Sequence, residues 1–288
     1  MLTPFDAQDN VDYALYRKHA ESILDKGASG FCIGGSTGEF EALTFDEIMK
    51  IAELVVEVAS ARGAYVIAGM GGRSTKEAVL YAQNYEKRGV DMLLVLPPYY
   101  YGFGEDEVIQ YYLDVAASVK LPIMVYNNPG KTHVKITPAM IAEMARKADN
   151  IRFTKDSSED VRNVAEVIEQ TNGQVTVFAG WDSIMLESLM MGATAVFSGG
   201  GGNCMTDELV KLYNLVAEKR FDEAKAQYAK IRPFLVLIED HGRLATWIKC
   251  CMGMVHYDMG VARKPYAPIR PEEREQIKKC CEQVGLLK

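Results

Sequence analysis

Short apolar runs alternate with amphipathic stretches along most of the chain. The apolar runs are continuous, which is typical of strands buried on both faces of a parallel sheet. These runs lie at residues 29–35, 64–69, 91–96, 121–126, 151–155, 175–180 and 194–199. The amphipathic stretches have the length and spacing of helices, and they lie at 11–26, 44–60, 74–88, 105–119, 137–147, 157–170 and 182–191. The pattern therefore predicts an α/β protein with a parallel sheet.

The number of strand–helix units decides the fold class. A repeat of this length fits either an open doubly wound sheet or a (β/α)₈ barrel. An eighth strand would precede the first helix, where "MLTPFD" at residues 1–6 resembles the last part of a strand. We therefore expect a (β/α)₈ TIM barrel at residues 1–218, with a first strand that is short or truncated.

The pattern changes past residue 204. Helices without strands are predicted there, at 204–218, 221–238, 241–250 and 271–284. The first of these helices closes the barrel, and the others form a C-terminal helical extension at residues 219–288. Since no low-complexity linker separates the two parts, we expect one structural unit.

Composition and charge narrow the class of protein. Of the 288 residues, 48% are hydrophobic and 25% are charged, as in an ordinary globular protein. The net charge of −7 disfavours nucleic acid or an anionic membrane as a partner. No export signal and no long apolar run is present, so we expect a soluble, cytoplasmic protein. The six cysteines form no CxxC and the four histidines no HxxxH or HxH, so we expect reduced thiols and no metal site.

Candidate chemistry lies where the predicted strands end, because catalytic groups of a barrel lie at the carboxyl ends of its strands. The run "IRFTK" ends in Lys155, on the same strand face as Ile151 and Phe153. The preceding run ends in Tyr126, on a neighbouring strand about 4.8 Å away. A lysine among apolar groups attacks a ketone as a free amine, and a nearby tyrosine relays protons. The pair favours Schiff-base chemistry, although a strand-end lysine that reaches solvent would give the same pattern.

Other motifs follow strands as well. In "GGSTGEF", Ser36, Thr37 and backbone amides would hold a carboxylate, or the segment is simply a tight turn. "PPYYYGF" at 97–103 supplies aromatic side chains to a site or to a subunit interface. "GGGGN" at 199–203 would bind phosphate or leave room for the distal part of a substrate. "GMGGRS" at 69–74 lacks the third glycine of a dinucleotide fingerprint.

Taken together, "GGSTGE", "PPYY", "YNNP" and "KDSS" resemble the motifs of the dihydrodipicolinate synthase / N-acetylneuraminate lyase family of class I aldolases, over essentially the whole chain. The resemblance implies that Lys155 forms an imine with pyruvate or another 2-oxo acid, that Tyr126 relays protons, and that no cofactor is needed. It also implies that Ser36 and Thr37 hold the carboxylate and join the relay. Tyr100 would reach across a dimer interface in a homotetramer of paired dimers.

The substrate-binding residues implied by the resemblance are Ser36, Thr37, Lys131, Ser157, Gly180, Asp182 and Phe197. Among the departures from the family pattern, two bear on the second substrate. The synthases carry an arginine two residues after the proline of their Tyr-x-x-Pro motif, where this chain has Lys131. The lyases carry an aspartate–glutamate pair where this chain has Asp182 and Ser183.

We therefore expect a class I aldolase or lyase that makes or breaks a C–C bond between a 2-oxo acid and an aldehyde with a short polar tail. A dihydrodipicolinate synthase and a Schiff-base dehydratase or deaminase are the alternatives within this chemistry. A catalytically silent protein that binds 2-oxo acids is a further alternative, which the presence of Lys155, Tyr126 and Thr37 disfavours. The second substrate does not follow from the sequence.

Overall fold

The apolar runs form strands and the amphipathic stretches form helices in the computed structural model, which describes residues 1–240 and 242–287. The strands are β1 (Gly30–Ile33), β2 (Tyr65–Met70), β3 (Met92–Val95), β4 (Ile123–Asn127), β5 (Ile151–Asp156), β6 (Thr176–Ala179) and β7 (Ala195–Val196). The helices are α1 (Tyr13–Asp25), α2 (Phe45–Ser60), α3 (Thr75–Lys87), α4 (Glu105–Ala117), α5 (Pro129–Thr132), α6 (Pro138–Lys147), α7 (Arg162–Gln170), α8 (Met185–Met190), α9 (Gly201–Cys204), α10 (Thr206–Ala217), α11 (Phe221–Glu239), α12 (Leu244–Val255) and α13 (Pro271–Gln283). The chain divides into two compact units, Met1–Ala64 with Ser198–Lys288, and Tyr65–Phe197.

The unit Tyr65–Phe197 is built on a parallel sheet with the strand order β2-β3-β4-β5-β6-β7. Helices connect consecutive strands, as parallel neighbours require. All of β4 is buried, which explains its largely apolar sequence, and the last three residues of β5 are buried although they are polar. The register of these two strands pairs Tyr126 with Lys155 and Asn127 with Asp156. This sheet therefore fixes the spacing of the candidate catalytic pair.

The other unit contains β1, helices α1 and α2, and the C-terminal helices α9 to α13. Large buried side chains such as Tyr16, Phe234 and Trp247 form its core. The backbone N–H of Leu2 donates to Asn203 Oδ1 at 3.0 Å. The beginning of the chain is thereby held against the first of the C-terminal helices.

Residues 1–6 differ from the predicted strand end. Phe5 forms an isolated antiparallel bridge with Val11, and the Asp6 carboxylate accepts the backbone N–H of Asn10 at 2.8 Å. This local hydrogen bonding folds the segment into a turn. Alternation of strands and helices followed by C-terminal helices is confirmed, whereas closure into an eight-stranded barrel stays a prediction.

Local side-chain hydrogen bonds set the helix starts. Helix α2 begins with a capping box, in which Thr44 Oγ1 accepts the Glu47 N–H at 3.2 Å and Glu47 accepts the Thr44 N–H at 2.8 Å. The helix predicted at 157–170 begins only at Arg162. The side chains of Ser158 and Asp160 accept backbone N–H groups there and hold the preceding residues in a turn.

Other helices also differ from the prediction. The helix predicted at 204–218 is α10, and the short helices α5 and α9 have no counterpart in the prediction. The helix predicted at 241–250 is α12, and its predicted first residue, His241, lies outside the described residues. Within residues 1–240 and 242–287, no helix combines the length and apolar character needed to cross a bilayer.

A buried ion pair ties the turn after β1 to the C-terminal helices. Lys249 Nζ lies 2.8 Å from a Glu39 carboxylate oxygen, and the two side chains are 2% and 1% exposed. The other Glu39 oxygen accepts the Arg263 backbone N–H at 2.8 Å. Lys249 also donates to the Val261 carbonyl at 2.9 Å. These contacts hold Glu39 in a left-handed conformation, with φ 58°, which residues other than glycine rarely adopt.

We expect Glu39→Gln to lower the free energy of unfolding by about 3–5 kcal/mol, because it leaves the Lys249 ammonium buried without a counter-charge. Burial lowers the pKa of Lys249, and the charge of Glu39 opposes that effect. Urea unfolding at neutral pH measures the loss. The double variant Glu39→Gln/Lys249→Met should recover most of the stability. A loss below about 1 kcal/mol for the single change would contradict this account of a buried pair.

Candidate active site

Lys155 and Tyr126 face each other from the ends of two neighbouring strands. They are register partners on β5 and β4, as the alternation of side chains predicts. The Lys155 Nζ donates to the Tyr126 hydroxyl at 3.3 Å. The two residues are only 7% and 4% exposed. The Lys155 side chain is therefore buried beside Tyr126 and does not extend into solvent.

Aromatic rings surround the lysine amine. Nζ lies 4.5 Å from the centre of the Tyr126 ring and 4.2 Å from that of Phe197. Phe178 meets Phe197 edge to face at 6.3 Å. On another side, a Cβ at Gly180 would come within 2.6 Å of Lys155 Cγ. Only glycine therefore leaves space for the lysine at that position.

The Tyr126 phenol is the centre of a hydrogen-bond network. Asn128 Nδ2 donates to its oxygen at 2.9 Å, and Ser157, whose hydroxyl donates to the Gly180 carbonyl at 2.7 Å, is also in contact with it. Burial by itself raises the pKa of Tyr126. The charge of Lys155 and the hydrogen bonds that the phenol makes with Asn128, Lys155 and Ser157 outweigh burial, so the pKa of Tyr126 lies below its usual value of 10. A phenol whose pKa is lowered in this way gives up its proton more readily than an ordinary tyrosine.

A second hydrogen-bonded contact joins the same strands one residue further on. Asn127 Nδ2 donates to Asp156 Oδ2 at 2.8 Å. The other oxygen of Asp156 accepts from the Ser158 hydroxyl at 2.6 Å and from its backbone N–H at 3.1 Å. The buried carboxylate is thereby satisfied, and it fixes the register of β4 against β5 beside the reactive pair.

Sequence reasoning did not single out Asn127, Asn128 or Asp156. A signal was available for each of them. Asn128 lies two residues past Tyr126, and side chains two apart share a strand face. Asn127 and Asp156 directly follow Tyr126 and Lys155, so they share the opposite face.

In the other unit, the predicted hydroxyl residues lie in a short turn after β1. Ser36 and Thr37 belong to a 3-10 turn, Ser36–Gly38, in which Thr37 is buried and Ser36 half-buried. A Cβ at Gly199 would come within 2.5 Å of Thr37 Oγ1. A Cβ at Gly201 would come within 2.8 Å of Leu235. These two glycines of "GGGGN" therefore allow close packing of the chain.

The remaining predicted site residues differ in how far they are buried. Tyr100 is 82% exposed and packs edge to face on Tyr101 at 4.9 Å. Lys131 is exposed on the short helix α5, directly after β4. Asp182 is buried at the start of the 3-10 turn after β6. The structure thus gathers Lys155, Tyr126, Ser157, Gly180 and Phe197, while Tyr100 and Lys131 lie at the surface.

In the described part of the chain, no group of three or more histidine, cysteine, aspartate or glutamate side chains is placed to hold a metal ion. Five cysteines of this part are buried and one is half-buried, and all are free thiols.

Comparison with known proteins relates the chain to one family. Residues 1–284 match the model of the Dihydrodipicolinate synthetase family. A 4-hydroxy-tetrahydrodipicolinate synthase of Methanococcus maripaludis is 31% identical over 290 residues, which cover 100% of this chain and 98% of that protein. The dihydrodipicolinate synthase structure from Aquifex aeolicus is 28% identical, with a TM-score of 0.94 over 99% of this chain and 96% of that one. A prophage protein of the same family from E. coli, solved in complex with pyruvate, is 25% identical, with a TM-score of 0.93 over 99% and 97% of the two chains.

The family match covers both units and includes all four motifs. It confirms the family that the motifs predicted. It also confirms the prediction of an enzyme of the lyase class with class I, Schiff-base aldolase chemistry. The chain belongs to the dihydrodipicolinate synthetase family.

Proposed function

We propose that this enzyme joins pyruvate, or another 2-oxo acid, to an aldehyde, or cleaves the product of that reaction, through an imine on Lys155. The observation that carries the proposal is the buried amine of Lys155 at 3.3 Å from the Tyr126 phenol, between two aromatic rings. The complex of the E. coli relative with pyruvate supports the choice of 2-oxo acid.

The proposed reaction uses Lys155 as nucleophile and Tyr126 as proton carrier. The free amine of Lys155 attacks C2 of the 2-oxo acid, and Tyr126 gives its proton to the departing hydroxyl, so that water leaves and an iminium forms. The Tyr126 phenolate then takes a proton from C3. The resulting enamine attacks the aldehyde carbon through C3 while Tyr126 gives its proton to the aldehyde oxygen. Water then hydrolyses the new iminium, which returns a proton to the phenolate and frees Lys155. The reverse sequence cleaves the same C–C bond.

Other groups have supporting roles in this proposal. Ser36 and Thr37 hold the substrate carboxylate, and Thr37 joins the proton relay. Ser157, Gly180 and Phe197 form the wall around the bound 2-oxo acid, which is supported by their contacts with the reactive pair. Asp182 contacts the distal part of the substrate.

The architecture proposed for this activity is a closed (β/α)₈ barrel at residues 1–218 with a helical extension at 219–288. The assembly proposed is a homotetramer of paired dimers in which Tyr100 enters the neighbour's site. The exposure of Tyr100 and Tyr101, at 82% and 69%, supports this proposal, because exposed adjoining aromatic side chains are typical of interfaces.

Borohydride reduction tests the proposed function. Incubation with pyruvate and borohydride should add one reduced pyruvyl group per chain, located on Lys155 by peptide mass spectrometry. Incubation with borohydride alone is the control. An adduct on another lysine, or none in a preparation that consumes pyruvate, would contradict the mechanism. A protein that binds 2-oxo acids without catalysis would give no turnover with any aldehyde.

The side chain of Lys131 distinguishes two candidate functions, a general 2-oxo-acid aldolase and a dihydrodipicolinate synthase. Its single mobile charge suits one carboxylate or hydroxyl, whereas an arginine would clamp a carboxylate with two parallel hydrogen bonds. We expect Lys131→Ala to leave pyruvate trapping unchanged and to raise KM for the second substrate by about 10- to 150-fold, the equivalent of about 1.5–3 kcal/mol.

A panel of aldehydes and 2-keto-3-deoxy acids, scored by pyruvate consumed or released, measures this effect. Lys131→Arg should improve condensation with aspartate semialdehyde if the pocket is otherwise that of a synthase. Lys135→Ala, another exposed lysine past β4, is the matched control. If Lys131→Ala prevents pyruvate trapping, Lys131 acts in the first half-reaction instead.

A further inference from the structure

Asn128 contacts the Tyr126 phenol more closely than Lys155 does. Its side-chain N–H lies 2.9 Å from the phenol oxygen, compared with 3.3 Å for Lys155. Asn128 is 5% exposed and stands where β4 passes into α5. Its backbone carbonyl accepts the Thr132 hydroxyl at 2.9 Å, so the residue is also fixed through its main chain.

The other end of the Asn128 amide gives no stabilising contact. Its Oδ1 is buried and has no hydrogen-bond partner in the part of the chain that the structure describes. A buried acceptor without a partner lowers stability. Reversal of the amide would turn Oδ1 toward the phenol and place both N–H groups where Oδ1 now lies, so Asn128 would no longer donate to Tyr126. Because the cost of the unpartnered Oδ1 opposes the gain from the contact with the phenol, we expect an apolar side chain of the same size to leave stability unchanged or higher.

The Asn128 amide acts on the phenol oxygen by donating a hydrogen bond to it. That oxygen carries one proton and accepts through two lone pairs. Asn128 and Lys155 supply two donors, so the phenolic proton is confined to the remaining direction. A neutral donor also stabilises the negative charge of a phenolate. Once Lys155 has become an imine, Asn128 is the donor that stays unchanged.

We propose that Asn128 is a positioning residue that sets the direction of the Tyr126 proton and stabilises the phenolate during imine formation and enamine formation. The inference rests on the proposed function of Lys155 and Tyr126. In the described part of this unit, Lys155 on β5 is the charged group that faces the phenol. Tyr112 on α4 lies next to the Tyr126 backbone and donates its hydroxyl to the Val95 carbonyl at 2.8 Å.

Two nearly isosteric variants separate the donor from the shape of the side chain. Asn128→Leu removes the donor, and we expect kcat to fall about tenfold with KM for pyruvate within about threefold of the parent. Asn128→Asp replaces the donor with a negative charge, so kcat should fall further. The pH–rate profile should contain one limb that disappears in Tyr126→Phe and therefore reports the phenol. The midpoint of that limb should lie about one pH unit higher in Asn128→Leu than in the parent, and higher still in Asn128→Asp.

A double-mutant cycle with Tyr126→Phe completes the test. Asn128→Leu should change kcat less than about twofold in the phenylalanine background, because the phenol through which Asn128 acts is absent. The melting temperature of Asn128→Leu should equal or exceed that of the parent. Equal losses in both backgrounds, or an unmoved pH limb, would overturn the proposal. If the parent itself gives no pyruvate adduct at Lys155, the proposed function fails instead, so the two failures are distinguishable.

Discussion

Lys155→Arg should abolish the reduced pyruvyl adduct and lower turnover by about 10⁴-fold or more, the scale of losing a covalent nucleophile. A guanidinium stays protonated at neutral pH and cannot attack a carbonyl. The substitution keeps a positive charge beside the rings of Tyr126 and Phe197, so the electrostatics of the pocket change little. The loss of turnover in Lys155→Arg would therefore come from the missing nucleophilic amine and not from a change of charge.

Pyruvate consumption in the presence of a productive aldehyde measures this loss. Because arginine is longer than lysine and Gly180 leaves little room, Lys155→Met serves as a second variant that fits the same space. Both variants should fold, as judged by circular dichroism and thermal unfolding. Lys135→Arg, at an exposed position, is the matched control that should keep full activity. Turnover above about one-tenth of the parent in either Lys155 variant would mean that another group carries the substrate.

The strands could be predicted from the sequence because burial on both faces removes polar residues from them. β4 and β5 lie within two residues of the predicted runs. The helix after β5 was harder to place. Ser158 and Asp160 look like ordinary helix-start residues, but their side chains bind backbone N–H groups one after the other and postpone the helix to Arg162.

The proximity of the candidate catalytic pair could be predicted, because the register of parallel strands follows from where the strands end and from the alternation of their side chains. Tyr126 and Lys155 satisfy both conditions. The ion pair of Glu39 with Lys249 could not be predicted in this way. It joins residues far apart in the sequence, and its partner lies on a helix whose apolar periodicity gives no sign of a buried ammonium. Contacts of this kind depend on the tertiary packing of the C-terminal helices.

The surface residues of the site are the least predictable from one chain. Tyr100 is exposed, so nothing within its own chain fixes the position of its hydroxyl. Lys131 is exposed on a helix of four residues, and it has the freedom of a long side chain. The roles proposed for them depend on a neighbouring subunit and on a second substrate, whereas the contact of Lys155 with Tyr126 is made within one sheet.

Tyr126→Phe is expected to lower kcat by about 10²–10⁴-fold, the usual range for a general acid–base group. The change removes the hydroxyl that Lys155 and Asn128 contact and keeps the ring 4.5 Å from the amine. Pyruvate should still be trapped on Lys155, but slowly, because loss of water from the carbinolamine no longer has its proton donor. The time course of adduct formation by mass spectrometry, together with steady-state kcat, measures the two effects separately.

Tyr85→Phe is the matched control for that experiment. Its hydroxyl is also buried and donates to the Gly69 carbonyl at 3.2 Å, but it does not touch Lys155. We expect this change to lower stability by about 1 kcal/mol and to leave kcat within about twofold. If Tyr126→Phe lowers kcat by less than about threefold, a water molecule or the Thr37 hydroxyl carries the proton instead. The short contacts of Asn128 and Lys155 with the phenol would then serve to hold the lysine in place, and the low pKa of Tyr126 would have no part in the reaction.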